Sequence, residues 1–233
     1  GHAFFTLSLG MGAIMVYGSY LPDRISIARA SVAISIADTA VALLAGMVIF
    51  PIVFANSLDP GAGPGLIFQT LPIAFGHMPY GAFFGMLFFV LLVFAAWTSA
   101  ISLIEPAVAW LVENRGHSRV NASVVAGITT WLFGLLTVFS FNIWSDFTPV
   151  AFGVFADMTL FDLLDYLTAN VMLPLGGLLI AIFAAWKMSR ASTVEELKMG
   201  DRFFYPLWRF LVRYITPIAV IIVFFNAIGV IDI

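Results

Sequence analysis

The chain has 233 residues and no cysteine, which excludes disulfides and thiolate metal sites and leaves the compartment open. Charge is scarce too. Asp, Glu, Lys and Arg make up 10% of the residues, where soluble domains carry about 25%. A surface so poor in charge cannot face water. The net charge of −3 and the lack of a basic patch exclude nucleic acid as a partner. The sequence of basic stretch, short apolar run and small-residue cleavage site that marks a secretory leader is not found. His2, His77 and His117 stand far apart with no metal-ligand spacing, and no nucleophile pairs with a base, so an intramembrane enzyme is disfavoured.

What the chain has is apolar length, with 62% of its residues hydrophobic. A helix needs about 20 mostly apolar residues to cross the hydrocarbon core. Residues 1–22, 120–145, 166–186 and 214–231 carry no Asp, Glu, Lys or Arg, while 30–56 carries only Asp38 and 80–112 only Glu105. These runs predict one transmembrane domain over 1–233, with spans at about 1–20, 30–56, 80–112, 121–141, 160–186 and 210–230. Backbone groups in lipid must be satisfied within each segment, so the fold class is all-α, a polytopic transmembrane helical bundle. Gly1 is not a methionine and no charge precedes Asp23, so we expect a piece of a longer protein.

The basic residues orient the chain. All ten fall in three places: Arg24 and Arg29; Arg115 and Arg119; and Lys187, Arg190, Lys198, Arg202, Arg209 and Arg213. Residues 57–79 and 142–165 have none, although they hold Asp59, Asp146, Asp157, Asp162 and Asp165. By the positive-inside rule, loops 21–29, 113–120 and 187–209 are cytoplasmic, loop 57–79 is extracellular, and the C-terminus lies outside. Loop 57–79 holds the turn signals Asp59-Pro60-Gly61 and Gly63-Pro64-Gly65, and its apolar middle is expected to dock back on the protein. In loop 187–209, Ser192 and Glu195 have capping-box spacing for a short helix.

Two ionisable groups lie where the membrane makes them expensive, at about 2.5–3.5 kcal/mol each. Asp38 is either a cation ligand or fixed negative charge, or a hydrogen-bonded packing residue. Glu105 precedes Pro106, and Ala95, Thr98, Ser99, Ser102 and Glu105 share one helix face. That face reads either as a polar seam between helices or as oxygen ligands along a pathway. The first segment, Phe4-Phe5-Thr6-Leu7-Ser8-Leu9-Gly10-Met11-Gly12, places glycines and hydroxyls at mid-membrane depth. Ser8 to Gly12 is therefore a candidate helix break, with close helix packing as the alternative.

Three stretches carry a family resemblance: residues 1–12, Ala95-Ala96-Trp97-Thr98-Ser99-Ala100, and Val212-Arg213-Tyr214-Ile215-Thr216-Pro217. Through them the sequence resembles the neurotransmitter:sodium symporter family, in particular its bacterial amino-acid transporters, in register with the sixth to eleventh helices. The resemblance implies a partial leucine-transporter-type inverted-repeat fold, with binding beside broken helices at the bilayer midplane. It implies a sodium-coupled symporter of amino acids or related small amines, in a bacterial inner membrane. Phe5 would lid the substrate, with Thr6, Ser8, Met11, Ser99 and Leu103 around it. Two sodium ions are implied, each site completed by N-terminal helices that this chain lacks. Thr6 and Asp38 would belong to the first, and Ala95, Thr98 and Ser99 to the second.

Chloride-dependent relatives place a serine where this chain has Ala42, so the Asp38 carboxylate is expected to stand in for chloride. Tyr20 and Glu113 would form the cytoplasmic gate, and Asp165 the acidic half of the extracellular one. Glu105 stands where some relatives have glutamine and receives no role. Two rival readings are a sodium-independent or proton-coupled permease of the same fold, and a non-transporting membrane subunit. Substrate identity and oligomeric state are not legible.

Overall fold

The computed structural model describes residues 4, 6–22, 24–57, 65–150, 152–199 and 203–231, and among these there is no strand. Its helices are α1 (Ala13–Ser19), α2 (Ile27–Ala55), α3 (Leu66–His77), α4 (Gly81–Arg115), α5 (Arg119–Phe139), α6 (Leu160–Lys187), α7 (Arg190–Leu197) and α8 (Phe204–Ala227). Five of them, α2, α4, α5, α6 and α8, are long and apolar enough to cross a membrane. The all-α polytopic architecture expected from composition is what the chain adopts.

Two compact units divide the chain, and the division falls within α2 and α4. One comprises Gly1–Ala30 with Leu103–Ile233, the other Ser31–Ser102. In the first, the last turns of α4 bury Val108 against Ala122 and Ala126 of α5, small residues that bring the helices close. Beyond α5, the buried Ser140 accepts a hydrogen bond from the Phe161 amide at 3.2 Å. There α6 begins with a capping box in which Thr159 and Asp162 satisfy each other's backbone amides. In the second unit α3 lies back on its neighbours, burying Leu71 and Ala74 completely or nearly so. Gly81 and Gly85 of α4 admit Phe75, whose ring meets Phe88 at 5.6 Å.

Three helices widen by one residue per turn before a proline. The π-helical stretches Leu66–Thr70, Tyr166–Met172 and Leu211–Ile215 are followed, two positions on, by Pro72, Pro174 and Pro217. Proline removes one amide and pushes its ring at the carbonyl a turn earlier, and a wider turn relieves both demands. Pro51 and Pro106 sit inside α2 and α4, where the helix is unwidened.

The loop expectations need two corrections. The cap of α7 is Ser189 rather than Ser192, because Ser189 is extended and its hydroxyl accepts from the Ser192 amide at 3.1 Å. The region expected to be loop up to residue 209 is also largely helical, since α8 begins at Phe204. Arg209 lies inside that helix, where its long side chain reaches polar partners while its stem packs.

Candidate functional site

The first segment is interrupted where its glycines stand. Leu7 to Gly12 are non-helical, and the helix resumes only at Ala13. Ser8, Gly10 and Gly12 have φ of 51°, 92° and 83°, a left-handed path that favours glycine. Ser8 holds that conformation without being glycine, a costly state of the kind that collects at binding sites. The break leaves amides and carbonyls without helical partners in an otherwise apolar stretch.

Glycines also seat this break on α6. A Cβ on Gly10 would overlap the Leu173 carbonyl oxygen and come within 2.8 Å of the Gly177 nitrogen. A Cβ on Gly176 would in turn overlap the Gly10 carbonyl, and Gly177 faces the Phe4 ring. Sequence reasoning singled out Gly10 and Gly12 and missed Gly176 and Gly177. A glycine pair in an apolar helix was the available signal. A cavity of about 270 Å³ opens beside the break, touched by Ser8, Gly12, Ala184, Val212 and Thr216. Thr6 and Met11 are exposed and Ser8 is half-buried, while Phe5 lies outside the described residues.

Asp38, half-buried, belongs to the other unit, on α2. Around it the Ser35 hydroxyl donates to the Ser31 carbonyl and the Thr39 hydroxyl to the Ser35 carbonyl, each at 2.9 Å. On α4 the Thr98 hydroxyl donates to the carbonyls of Phe94 and Ala95, both at 3.0 Å. That proton is spent within the helix, and the oxygen keeps lone pairs for an acceptor role. Ala95 and Thr98, expected to act together, are thus in contact. Ala95, Thr98, Ser99 and Leu103 are all exposed. Among the described residues no three His, Asp or Glu gather as a metal site. A cation on these residues would meet hydroxyl, carbonyl and single carboxylate oxygens, the donor types of a hard ion.

A third cluster joins α1, α4 and α5. The Tyr20 hydroxyl donates to Glu105 Oε1 at 2.8 Å, and Arg119 Nη2 donates to the same oxygen at 2.6 Å. Glu105 is 7% exposed, so its charge is out of water and both donors offset that cost. Sequence reasoning placed Tyr20 beside Glu113. The structure instead brings Tyr20 to Glu105 and leaves Glu113 exposed, about two turns further along α4. The missed partner was Arg119, which opens α5 and is separated from Glu105 by 14 positions. Asp165 is exposed and directly precedes the widened turn at Tyr166–Met172, where the Thr168 hydroxyl donates to the Leu164 and Asp165 carbonyls.

A family model described as the sodium:neurotransmitter symporter family matches residues 1–232. The chain belongs to that family. It is 39% identical over 236 residues to an uncharacterized sodium-dependent transporter, YhdH, of Bacillus subtilis, covering 100% of this chain and 51% of that protein. It is 32% identical over 227 residues to an uncharacterized sodium-dependent transporter of Haemophilus influenzae, covering 97% of this chain and 48% of that protein. The chain spans about half the length of the curated relatives it matches.

Among solved structures it is similar to MhsT crystallised in complex with L-phenylalanine. The TM-score is 0.87 at 39% identity, over 97% of this chain and 50% of that one. These relatives are transporters by name rather than enzymes, and the five membrane-length apolar helices of this chain fit a multi-pass membrane protein. The resemblance carried by residues 1–12 and the α4 seam therefore identified the family correctly.

Proposed function

We propose that this chain is part of a sodium-coupled symporter for amino acids or related small amines, working by alternating access in a bacterial inner membrane. The observation that carries the reading is the break at Leu7–Gly12 in an apolar segment of a symporter-family chain. Exposed backbone dipoles at membrane depth are suited to small charged cargo and are tolerated only beside protein or water. The L-phenylalanine bound to MhsT supports an amino acid as the substrate.

In this reading Phe5 covers the substrate, Thr6 and Ser8 face its ammonium group, and Met11, Ser99 and Leu103 shape the side-chain pocket. Thr6 and Asp38 serve a first sodium ion. The Ala95 carbonyl with the Thr98 and Ser99 hydroxyls serves a second. The rest of each site comes from the half of the family's length that this chain does not span. Asp38 supplies the negative charge, so chloride is not required. Tyr20, Glu105, Arg119 and Glu113 close the cytoplasmic side, Asp165 contributes to the outer gate, and the C-terminus faces outward. Sodium raises the affinity for substrate, and linkage then requires substrate to raise that for sodium by the same factor. Glu105 is engaged by Arg119 and Tyr20, which makes it an anchor of closure and disfavours the rival in which it carries protons.

The test is uptake of labelled L-phenylalanine by the full-length protein in sealed vesicles, with inward sodium, potassium or proton gradients. Uptake driven by sodium alone is expected. Uptake indifferent to sodium, or driven by pH, would defeat the proposal, and binding without counterflow would favour a non-transporting subunit. Asp38→Asn should weaken sodium affinity about tenfold, about 1.4 kcal/mol, or make uptake depend on chloride. A variant that matches wild type in both respects would sink the charge-substitution argument.

A further inference from the structure

Between the start of α7 and the first turns of α8, three arginines border one cavity of about 450 Å³, and none of its lining residues belongs to the site described above. Arg190, Arg209 and Arg213 line it together with Tyr205, Phe210 and Tyr214, and among its described lining residues there is no carboxylate. Each of the three guanidinium groups lies against neutral groups. Arg209 donates to the Tyr205 hydroxyl at 2.6 Å and to the Ala185 carbonyl at 3.4 Å. Tyr205 is itself 1% exposed and hydrogen-bonded to the buried Thr193 hydroxyl at 2.7 Å. Arg213 lies over the rings of Trp186 and Tyr214, at 5.3 and 5.7 Å, and its buried Nε has no hydrogen-bond partner. Arg190 lies over the Tyr205 ring at 5.7 Å.

Arg209 and Arg213, one turn apart on α8, bring two positive charges to the cavity, and an anion placed against them lowers their mutual repulsion. A guanidinium fork fits phosphate oxygens in pairs. The cavity also has aromatic walls and is lined by the first turns of the membrane-length helix Phe204–Ala227 together with Arg190 at the start of α7. Guanidinium groups backed by Trp and Tyr at helix ends match the chemistry of the head-group layer. We propose that this cavity binds the phosphate head group of an anionic membrane lipid, with Arg190 and Arg213 contacting the phosphate and Phe210 and Tyr214 flanking the glycerol and upper acyl chain. Inorganic phosphate shares the charge but cannot use the apolar walls. The inference is independent of the sodium-site assignments.

The experiment is native mass spectrometry of the full-length protein in detergent, with phosphatidylglycerol, phosphatidylcholine or inorganic phosphate added. Phosphatidylglycerol is expected to be retained at least about tenfold better than phosphatidylcholine and to resist millimolar phosphate. Each of Arg190→Gln and Arg213→Gln should lower its affinity about fivefold, the effect of one basic residue near an anionic surface. Melting temperature in phosphatidylcholine separates loss of binding from loss of fold. If a variant does not fold, the wild-type lipid comparison still decides. Equal retention of the two lipids, an unchanged preference in the folded double variant, or displacement by phosphate alone would each overturn the proposal.

Discussion

Gly10→Ala is expected to abolish uptake and to destabilise the protein by about 2–5 kcal/mol, because two separate costs fall on one methyl group. Holding a side chain at φ 92° costs about 1–2 kcal/mol. Forcing that methyl onto the Leu173 carbonyl adds overpacking of about 1–3 kcal/mol. Two further variants isolate the terms. Gly12→Ala carries only the conformational cost, since Gly12 has φ 83° and nothing within 4 Å of an added Cβ. Gly176→Ala carries only the packing cost against the Gly10 carbonyl. Thermal unfolding in detergent should rank Gly10→Ala below both. A Gly10→Ala protein that melts and transports like wild type would mean that the break is not seated on α6.

The second large effect is expected at Glu105. Glu105→Ala removes the acceptor that Tyr20 and Arg119 share and so unties the end of α1 from the start of α5. Losing the Tyr20 hydrogen bond to this buried carboxylate costs about 1.5–3 kcal/mol, enough to shift a closed–open equilibrium about tenfold or more. A single cysteine placed at Ser19, in a chain that has none, reports that shift. Labelling by an impermeant maleimide from the side of the basic loops should accelerate about tenfold in Glu105→Ala and less in Glu105→Gln, which still accepts from Tyr20. Unchanged labelling would mean that this cluster does not hold the α1 end closed. Because Glu113 is exposed, Glu113→Ala should have the smaller effect.

Charge content made the bilayer and the helical class legible, because few residues can be charged in lipid and those few mark the loops. The break was legible for a local reason: glycines at positions 10 and 12 are where a left-handed path can occur. Its seat on Gly176 and Gly177 was not, since close approach of two backbones is a property of the packed pair. Glu105 was legible as an expense and not as a partner. Nothing local says that the end of α1 and the start of α5 meet on one carboxylate. Counting arginines as loop misplaced the start of α8, because an arginine held by a tyrosine hydroxyl can lie within a helix. The α4 seam was read from spacing and resemblance, and its internal hydrogen bonds show why spacing alone left two readings open.

The widened turns before Pro72, Pro174 and Pro217 act as phase shifters along their rods. One surplus residue turns everything beyond it by about 100°, so a stripe that faces one neighbour before the bulge faces another after it. In α6 this frees the exposed Asp165 end from the orientation imposed where Gly176 and Gly177 grip the broken segment. Deleting a single residue within Tyr166–Met172 would therefore re-aim one end of the helix while sparing the other.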